Sequence, residues 1–103
     1  MKIALTNLPP EQGERIGRLL VEEHIVAFVN LYPLQSMYFW KGEFRSDTEV
    51  TLVMTVSTEG VERLKHRLCE LHPYELPEFV VLDIDNKASL REYVEFVDQT
   101  NLL

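Results

Sequence analysis

The densest polar cluster in the sequence is His72-Pro73-Tyr74-Glu75, with Pro77 and Glu78 just beyond it. Imidazole and carboxylate are competent ligands for copper or zinc, which makes His72 and Glu75 the candidate metal ligands. Two ligands at this spacing hold a metal tightly only if another subunit adds more. The same residues would suit acid–base chemistry in a cleft between subunits, with His72 as the acid/base and Tyr74 or Glu75 assisting. No nucleophile or cofactor motif accompanies them, so no catalytic residue is assigned. A structural reading stands beside both. His72 falls at a helix end, where a cationic ring complements the dipole, and the two prolines shape the turn into the next strand.

Tyr38 and Trp40 are two residues apart and therefore share one face of a strand. They can wall a ligand pocket, or anchor a subunit interface, where large aromatics are enriched. Glu49 is a candidate partner for a neighbour's Lys or Arg, with a pocket carboxylate as the alternative. Cys69 lies off the apolar face of a helix with no basic group arranged beside it, the pattern of an inert thiol. His24 and His66 belong to no paired-ligand motif. No phosphate-binding glycine loop, paired-cysteine motif or nucleophile elbow occurs, and four glycines in all leave little for a phosphate cradle.

These residues sit in a chain of 103 residues, 46% hydrophobic and 26% charged, the profile of one globular domain spanning 1–103. Such a small domain has little stability margin alone and gains from burying apolar area in an oligomer. Ten basic residues against 17 acidic give a net charge of −7. Phosphate backbones need clustered Lys and Arg, so nucleic acid is not an expected partner, whereas an acidic surface suits metal cations or basic proteins. A single cysteine allows no internal disulfide. No leader-like segment opens the sequence, and no apolar run approaches the ~20 residues of a membrane helix. No membrane partner and a cytoplasmic location are the expectations.

The elements that position the cluster follow from periodicity. Lys2 to Asn7 alternates around Ile3 and Leu5 as a strand. Pro9-Pro10-Glu11 opens a helix that carries Ile16, Leu19 and Leu20 inward and ends near His24. Ile25 to Leu31 reads as a strand that is apolar on both faces, with Val26, Phe28 and Tyr32 on the face the helices do not reach. Both faces then need cover, and a second copy of the chain would supply it. Pro33 marks a bulge or bend. The strand resumes over Ser36–Trp40, turns at Lys41-Gly42 and returns with Val50, Leu52, Met54 and Val56 alternating. A hairpin this long is marginal in water and exposes Met37, Phe39 and Trp40 unless it packs on a neighbour. Thr58 is the expected N-cap of a second helix bearing Val61, Leu64, Leu68 and Leu71, and Pro73 stops that helix at His72. Phe79–Ile84 reads as a buried strand. Ser89 and Glu92 predict a capping box for a last helix with Leu90, Tyr93, Val94 and Val97 inward, to cover the open sheet face or reach a neighbouring subunit. The sum is an α+β, ferredoxin-like βαββαβ sandwich with an antiparallel sheet, a long central hairpin and an additional C-terminal helix.

At this point the sequence resembles the CutA family. The likeness is carried by Leu20-Val21-Glu22-Glu23 followed by Val29-Asn30, by Tyr38-x-Trp40-x-Gly42 with Asp47-x-Glu49-Val50, and most of all by His72-Pro73-Tyr74-Glu75-Leu76-Pro77-Glu78 after Leu64-Lys65. The resemblance implies a tight homotrimer whose sheets pack around a threefold axis, similar to the nitrogen-regulatory PII trimers. It also implies a link with tolerance of copper and other divalent metals in bacteria, or with acetylcholinesterase handling in animals. The sequence departs from the family pattern at Phe28, where a suspected copper-binding cysteine is common, at Thr55 for a lysine, at Leu34 for a glycine, and at Phe96 for a tryptophan. The expected function is a trimeric binding or signalling module of divalent-ion tolerance, taking a divalent metal such as copper or zinc or a small molecule. The alternatives are an enzyme using His72, Tyr74 and Glu75 between subunits, and a scaffold for protein partners. An RNA-recognition domain shares the strand order, but its stacking aromatics and basic surface are missing.

Overall fold

The computed structural model describes residues 1–100; residues 101–103, the end of the expected domain, lie outside the described residues. The elements are β1 (Lys2–Leu8), α1 (Pro10–Glu22), β2 (Phe28–Trp40), β3 (Glu43–Val56), α2 (Val61–Leu71), β4 (Val80–Asp83) and α3 (Arg91–Gln99). The four strands form one antiparallel sheet in the order β2-β3-β1-β4. This is the expected α+β ferredoxin-like arrangement, with α3 as its addition.

One sheet face is the core. Ala4, Thr6 and Leu8 of β1 lie beside Met54, Leu52 and Val50 of β3, and all six are buried against Ile16 and Leu20 of α1 and Leu64 and Leu68 of α2. α1 lies close to the sheet because it presents Gly13 and Gly17 there. A methyl group at Gly13 would overlap Cγ1 of Val50.

α1 ends in a Schellman motif. The Ile25 amide donates to Leu20 O and the His24 amide to Val21 O, both at 3.0 Å, with His24 in the left-handed region at φ 57°. This cap explains a departure from expectation. The second strand begins at Phe28 rather than Ile25, because the amides of Ile25 and Val26 turn back to Leu20 O. Val26 is then 1% exposed inside its own chain and needs no cover from a neighbour. Phe28 and Tyr32 remain exposed.

Pro33 makes no bulge. Pairing runs without a skipped residue from Phe28–Thr55 through Pro33–Val50 to Trp40–Glu43. β2 is an edge strand, where a missing amide donor on the open side costs nothing. Lys41 at φ 51° and Gly42 at φ 82° form the expected two-residue turn. Past Val50 toward this turn β3 loses β1 and keeps only β2, so the hairpin projects and stretches the molecule to 45 × 27 × 21 Å.

Three smaller expectations are corrected. Ser57, not Thr58, caps the turn before α2: its hydroxyl accepts from the Gly60 amide at 3.0 Å, in a 3-10 turn over Thr58–Gly60. β4 is not buried. It pairs only with β1 at the sheet edge, leaving Val80, Val81 and Leu82 exposed. The Ser89–Glu92 capping box does not form. Leu90 occupies the N-cap without a side-chain bond, and the Ser89 hydroxyl donates instead to Asp85 O at 2.7 Å. α3 packs against β3 through buried Val97, which stands apart from the helix-side core, while Leu90, Tyr93 and Phe96 face outward.

Helix propensity alone would make Gly13→Ala stabilising by about 1 kcal/mol. The overlap with Val50 reverses the sign: the variant should lose about 1–3 kcal/mol, read as a lower urea midpoint at unchanged slope.

Candidate functional site

The hairpin register decides which side chains meet. Tyr38 pairs with Arg45, Ser36 with Asp47 and Leu34 with Glu49. Alternation therefore places Tyr38, Trp40, Arg45, Asp47 and Glu49 on one hairpin face. The 72–78 segment, bent by Pro73 and Pro77, brings Tyr74, Glu75 and Glu78 opposite them, and Asn7 and Pro9 close the inner end. Together they enclose an open cleft of about 900 Å³.

Two tyrosine–carboxylate pairs occupy it. The Tyr74 hydroxyl donates to Glu49 Oε2 at 2.6 Å, and the Tyr38 hydroxyl donates to Asp47. Glu49 is only 5% exposed, and among the described residues Tyr74 is its side-chain hydrogen-bond partner. Burial raises the Tyr74 hydroxyl above the ordinary phenol range, and the Glu49 charge adds to it. The bond to Asp47 raises Tyr38 in the same direction. Both phenols are held protonated, as donors. Arg45 lies 3.8 Å from Asp47. At the mouth, the Lys41 ammonium sits 5.5 Å from the centre of the Trp40 ring and 3.4 Å from Glu75.

His72 is placed differently from the expectation. It does not line the cleft; it heads the 72–78 segment with its ring against β1, 8% exposed. Its Nε2 is 2.9 Å from Asn7 O and 3.1 Å from Thr6 Oγ, and its Nδ1 accepts the Tyr74 amide at 3.2 Å. Both ring nitrogens are thus spent on the protein, and Glu75 reaches toward Lys41 instead. Within one chain the two side chains engage separate partners. Burial lowers the basicity of the ring, against the opposing pull of the Asn7 bond and the Glu49 charge. Among the described residues, no three His, Cys, Asp or Glu side chains converge as a metal centre within one chain.

Tyr38, Trp40, Glu49, Tyr74 and Glu75 are therefore brought together, and His72 supports them from behind. Asp47, Arg45, Asn7 and Glu78 were not singled out from the sequence as site residues. Asp47 carried a usable signal, since it is two residues from Glu49 and the Lys41-Gly42 turn fixes which strand face both share. Asn7 and Glu78 carried none, because their place depends on how distant segments meet. Chemically, the lining has five carboxylates (Glu11, Asp47, Glu49, Glu75, Glu78), one guanidinium and three aromatic rings. Such a lining attracts cations and apolar surface together.

A ferredoxin-like sandwich with a projecting hairpin defines the class as PII-like, and comparison with known proteins agrees. The solved structure of the "PII-like protein CutA from Nostoc sp. PCC 7120 in apo form" is 74% identical and superposes with a TM-score of 0.96 over 97% of this chain and 96% of that one. Pyrococcus horikoshii CutA is 30% identical with a TM-score of 0.91, over 97% and 98%. The model of the CutA1 divalent ion tolerance protein family matches residues 2–100, and the chain belongs to that family. A divalent-cation tolerance protein CutA from Thermus thermophilus is 39% identical over 93% of both chains. A CutA homolog from Danio rerio is 40% identical over 92% of this chain, which spans 63% of that relative's length.

The Tyr74 hydroxyl is what satisfies the Glu49 carboxylate. Tyr74→Phe should destabilise the protein by about 1–2 kcal/mol, while Tyr32→Phe, on the opposite end of β2 from the turn, should be near neutral. Chemical denaturation of the two variants side by side checks this.

Proposed function

We propose that this chain is a self-assembling binding module of divalent-cation tolerance. In this reading it is a homotrimer whose cleft between the hairpin and the 72–78 segment takes a cation or a small cationic molecule. The observation that carries the reading is the cleft lining: five carboxylates against one arginine, around aromatic walls. Tolerance of divalent cations comes from the names of the family and of its Thermus relative.

Assembly is supported by what one chain leaves uncovered. Met37 is 68% and Phe39 74% exposed on the hairpin, and Phe28, Phe44, Val80 and Leu82 are exposed as well. Phe39 and Phe44 sit side by side near the tip, 5.9 Å between ring centres, and exposed apolar clusters of this kind are candidates for interfaces. Both sheet edges, β2 and β4, are also open. A neighbour packed on the hairpin would close the cleft and raise the strength of every charge interaction inside it.

The chemistry favours oxygen ligation over thiolate. Phe28 and Thr55, the two departures from the family pattern at its cysteine and lysine positions, are cross-strand partners in β2 and β3. An aromatic ring and a hydroxyl replace a thiol and an ammonium at one spot, which removes a soft copper ligand. Copper or zinc would be held by the cleft carboxylates, with ligands completed across subunits. The enzyme alternative loses support from His72, whose ring nitrogens are engaged away from the cleft. The scaffold alternative keeps the exposed surface but leaves the buried Glu49 without a purpose.

Two measurements test the reading. Light scattering at micromolar concentration should return three chain masses, and a single-chain mass would remove the assembly. Calorimetry with zinc and with copper should give binding below millimolar concentration that weakens at least about tenfold in Asp47→Asn, the size of one lost charge-assisted contact. No heat with either ion in the intact protein would remove the cation site.

A further inference from the structure

His72 is buried, titratable and outside the cleft, and the proposed function does not use it. Its surroundings define what it does. The ring is anchored to β1, where Nε2 donates to Asn7 O at 2.9 Å, with Thr6 Oγ 3.1 Å away. The Thr6 hydroxyl is itself committed as a donor to Glu78 O at 2.6 Å, so it meets Nε2 as an acceptor. Both contacts therefore require the proton on Nε2. On the other side Nδ1 must be bare, because it accepts the Tyr74 amide at 3.2 Å. The network admits a single state of the ring: neutral, with Nε2–H. The two rings also pack together, 5.0 Å between centres.

Tyr74 is the wall of the cleft that reaches Glu49. One continuous path thus runs from β1 through the imidazole to the Tyr74 amide, and from the Tyr74 hydroxyl to the buried carboxylate. We infer that His72 is a positioning residue for the cleft: its neutral ring holds Tyr74 on Glu49, and protonation at Nδ1 releases that hold. The step moves one proton from solvent to Nδ1. It converts the acceptor facing the Tyr74 N–H into a second donor, and two donors cannot share a hydrogen bond. The segment after His72 must then shift. The inference regulates the site proposed above and rests on that reading for its purpose, but not for its geometry.

The groups that face the ring set the range in which this happens. From β3, Glu49 favours the protonated ring. From the 72–78 segment come Tyr74 and Glu78, the latter through its carbonyl on Thr6 and its carboxylate 3.3 Å from Asn7 Nδ2. From β1 come the uncharged Thr6 and Asn7, and from α2 the Leu68 carbonyl, which accepts the His72 amide at 2.8 Å. Burial outweighs the Asn7 bond and the Glu49 charge, which both favour the protonated ring, so the folded ring titrates below the ordinary value of 6.5. The sign follows. Between the folded and unfolded values the unfolded chain binds more protons, so stability and the hold on Tyr74 are complete above pH 6.5 and decline as pH falls through the folded value.

Trp40 is the only tryptophan of the chain and lines the cleft, so its emission reports the cleft without any ligand. Nitrogen-15 NMR of the intact protein at pH 7.5 should find His72 as the Nε2–H tautomer. On acidification the Trp40 emission should shift in step with the His72 resonance, with a midpoint below 6.5. The variant His72→Asn places an amide oxygen near the Nδ1 position. It should keep the neutral-pH emission of the intact protein and lose the acid step. His72→Leu fills the space without an acceptor and should show the acid-form emission at all pH values. An Nδ1–H tautomer in the intact protein overturns the inference, whatever the variants do. So does an acid step that persists in His72→Asn. Because none of these readouts involves a bound cation, they stand or fall separately from the calorimetric test of the cleft.

Discussion

Strand β3 changes duty halfway along its length, and the rest of the structure is organised around that change. From Val56 back to Val50 it is paired on both sides, to β1 and β2, and every second side chain is driven into the core. At Val50 it meets Leu8 on one side and Pro33 on the other, and β1 ends there. From Glu49 to the turn it has only β2. The inner half is held by burial of apolar area, worth about 25 cal/mol per Å². The outer half has little such burial in one chain and is held by ladder hydrogen bonds and exposed cross-strand side-chain contacts such as Tyr38–Asp47 and Phe39–Phe44, which are weak net contributors in water. A chain that builds such an arm must cover it or use it. The cleft sits where the doubly paired half meets the arm.

That division explains how the charges are handled. Glu49 is the first residue of the arm, yet it is at least as buried as Val50, with the Tyr74 hydroxyl bonded to it. A desolvated carboxylate is costly unless bonded, and one phenol is a modest compensation. The segment that supplies the phenol is short, bent by two prolines and tied back to β1 by His72 and Thr6. The bonds that satisfy β1 at its end are therefore the bonds that aim the cleft wall. Farther from the cleft, charge works differently. Arg67 bridges Glu23 with two bonds of 2.8 and 2.9 Å, and Arg63 reaches the Glu23 carbonyl. This ties the capped end of α1 to α2 on the surface, and the guanidinium beside Glu23 holds that carboxyl below its usual range.

Much of this was legible in the sequence. Periodicity alone gave the strand–helix order and the long hairpin, because period two and period 3.6 are separated cleanly between Ile16 and Leu68. The spacing of Tyr38 and Trp40 gave their shared face, and the Lys41-Gly42 turn was legible, but the register that adds Glu49 to that face came from the structure. Other features were misread for physical reasons that can be named. Ile25 and Val26 look like strand residues because they are β-branched, but a helix cap competes for their amides and wins. Ser89 and Glu92 have the spacing of a capping box, but the Ser89 hydroxyl finds the Asp85 carbonyl first, in a turn where Asp85 already accepts the Lys87 and Ala88 amides. His72 has the residue type of a ligand, and only the approach of β1, more than sixty residues earlier in the chain, decides that its nitrogens are taken.

The unbroken pairing of the arm has a consequence for how this lineage can vary. Successive side chains of a strand point to opposite sides, so inserting or removing one residue between Val50 and the turn would swing everything beyond it to the other side of the ribbon. The core would not notice, since its own pairs lie on the far side of Val50. The aromatic and acidic walls would part company. Unless a bulge absorbs the odd residue, a length change that keeps both walls together must add or remove an even number of residues in each strand, so this limb grows or shrinks most simply in paired double steps.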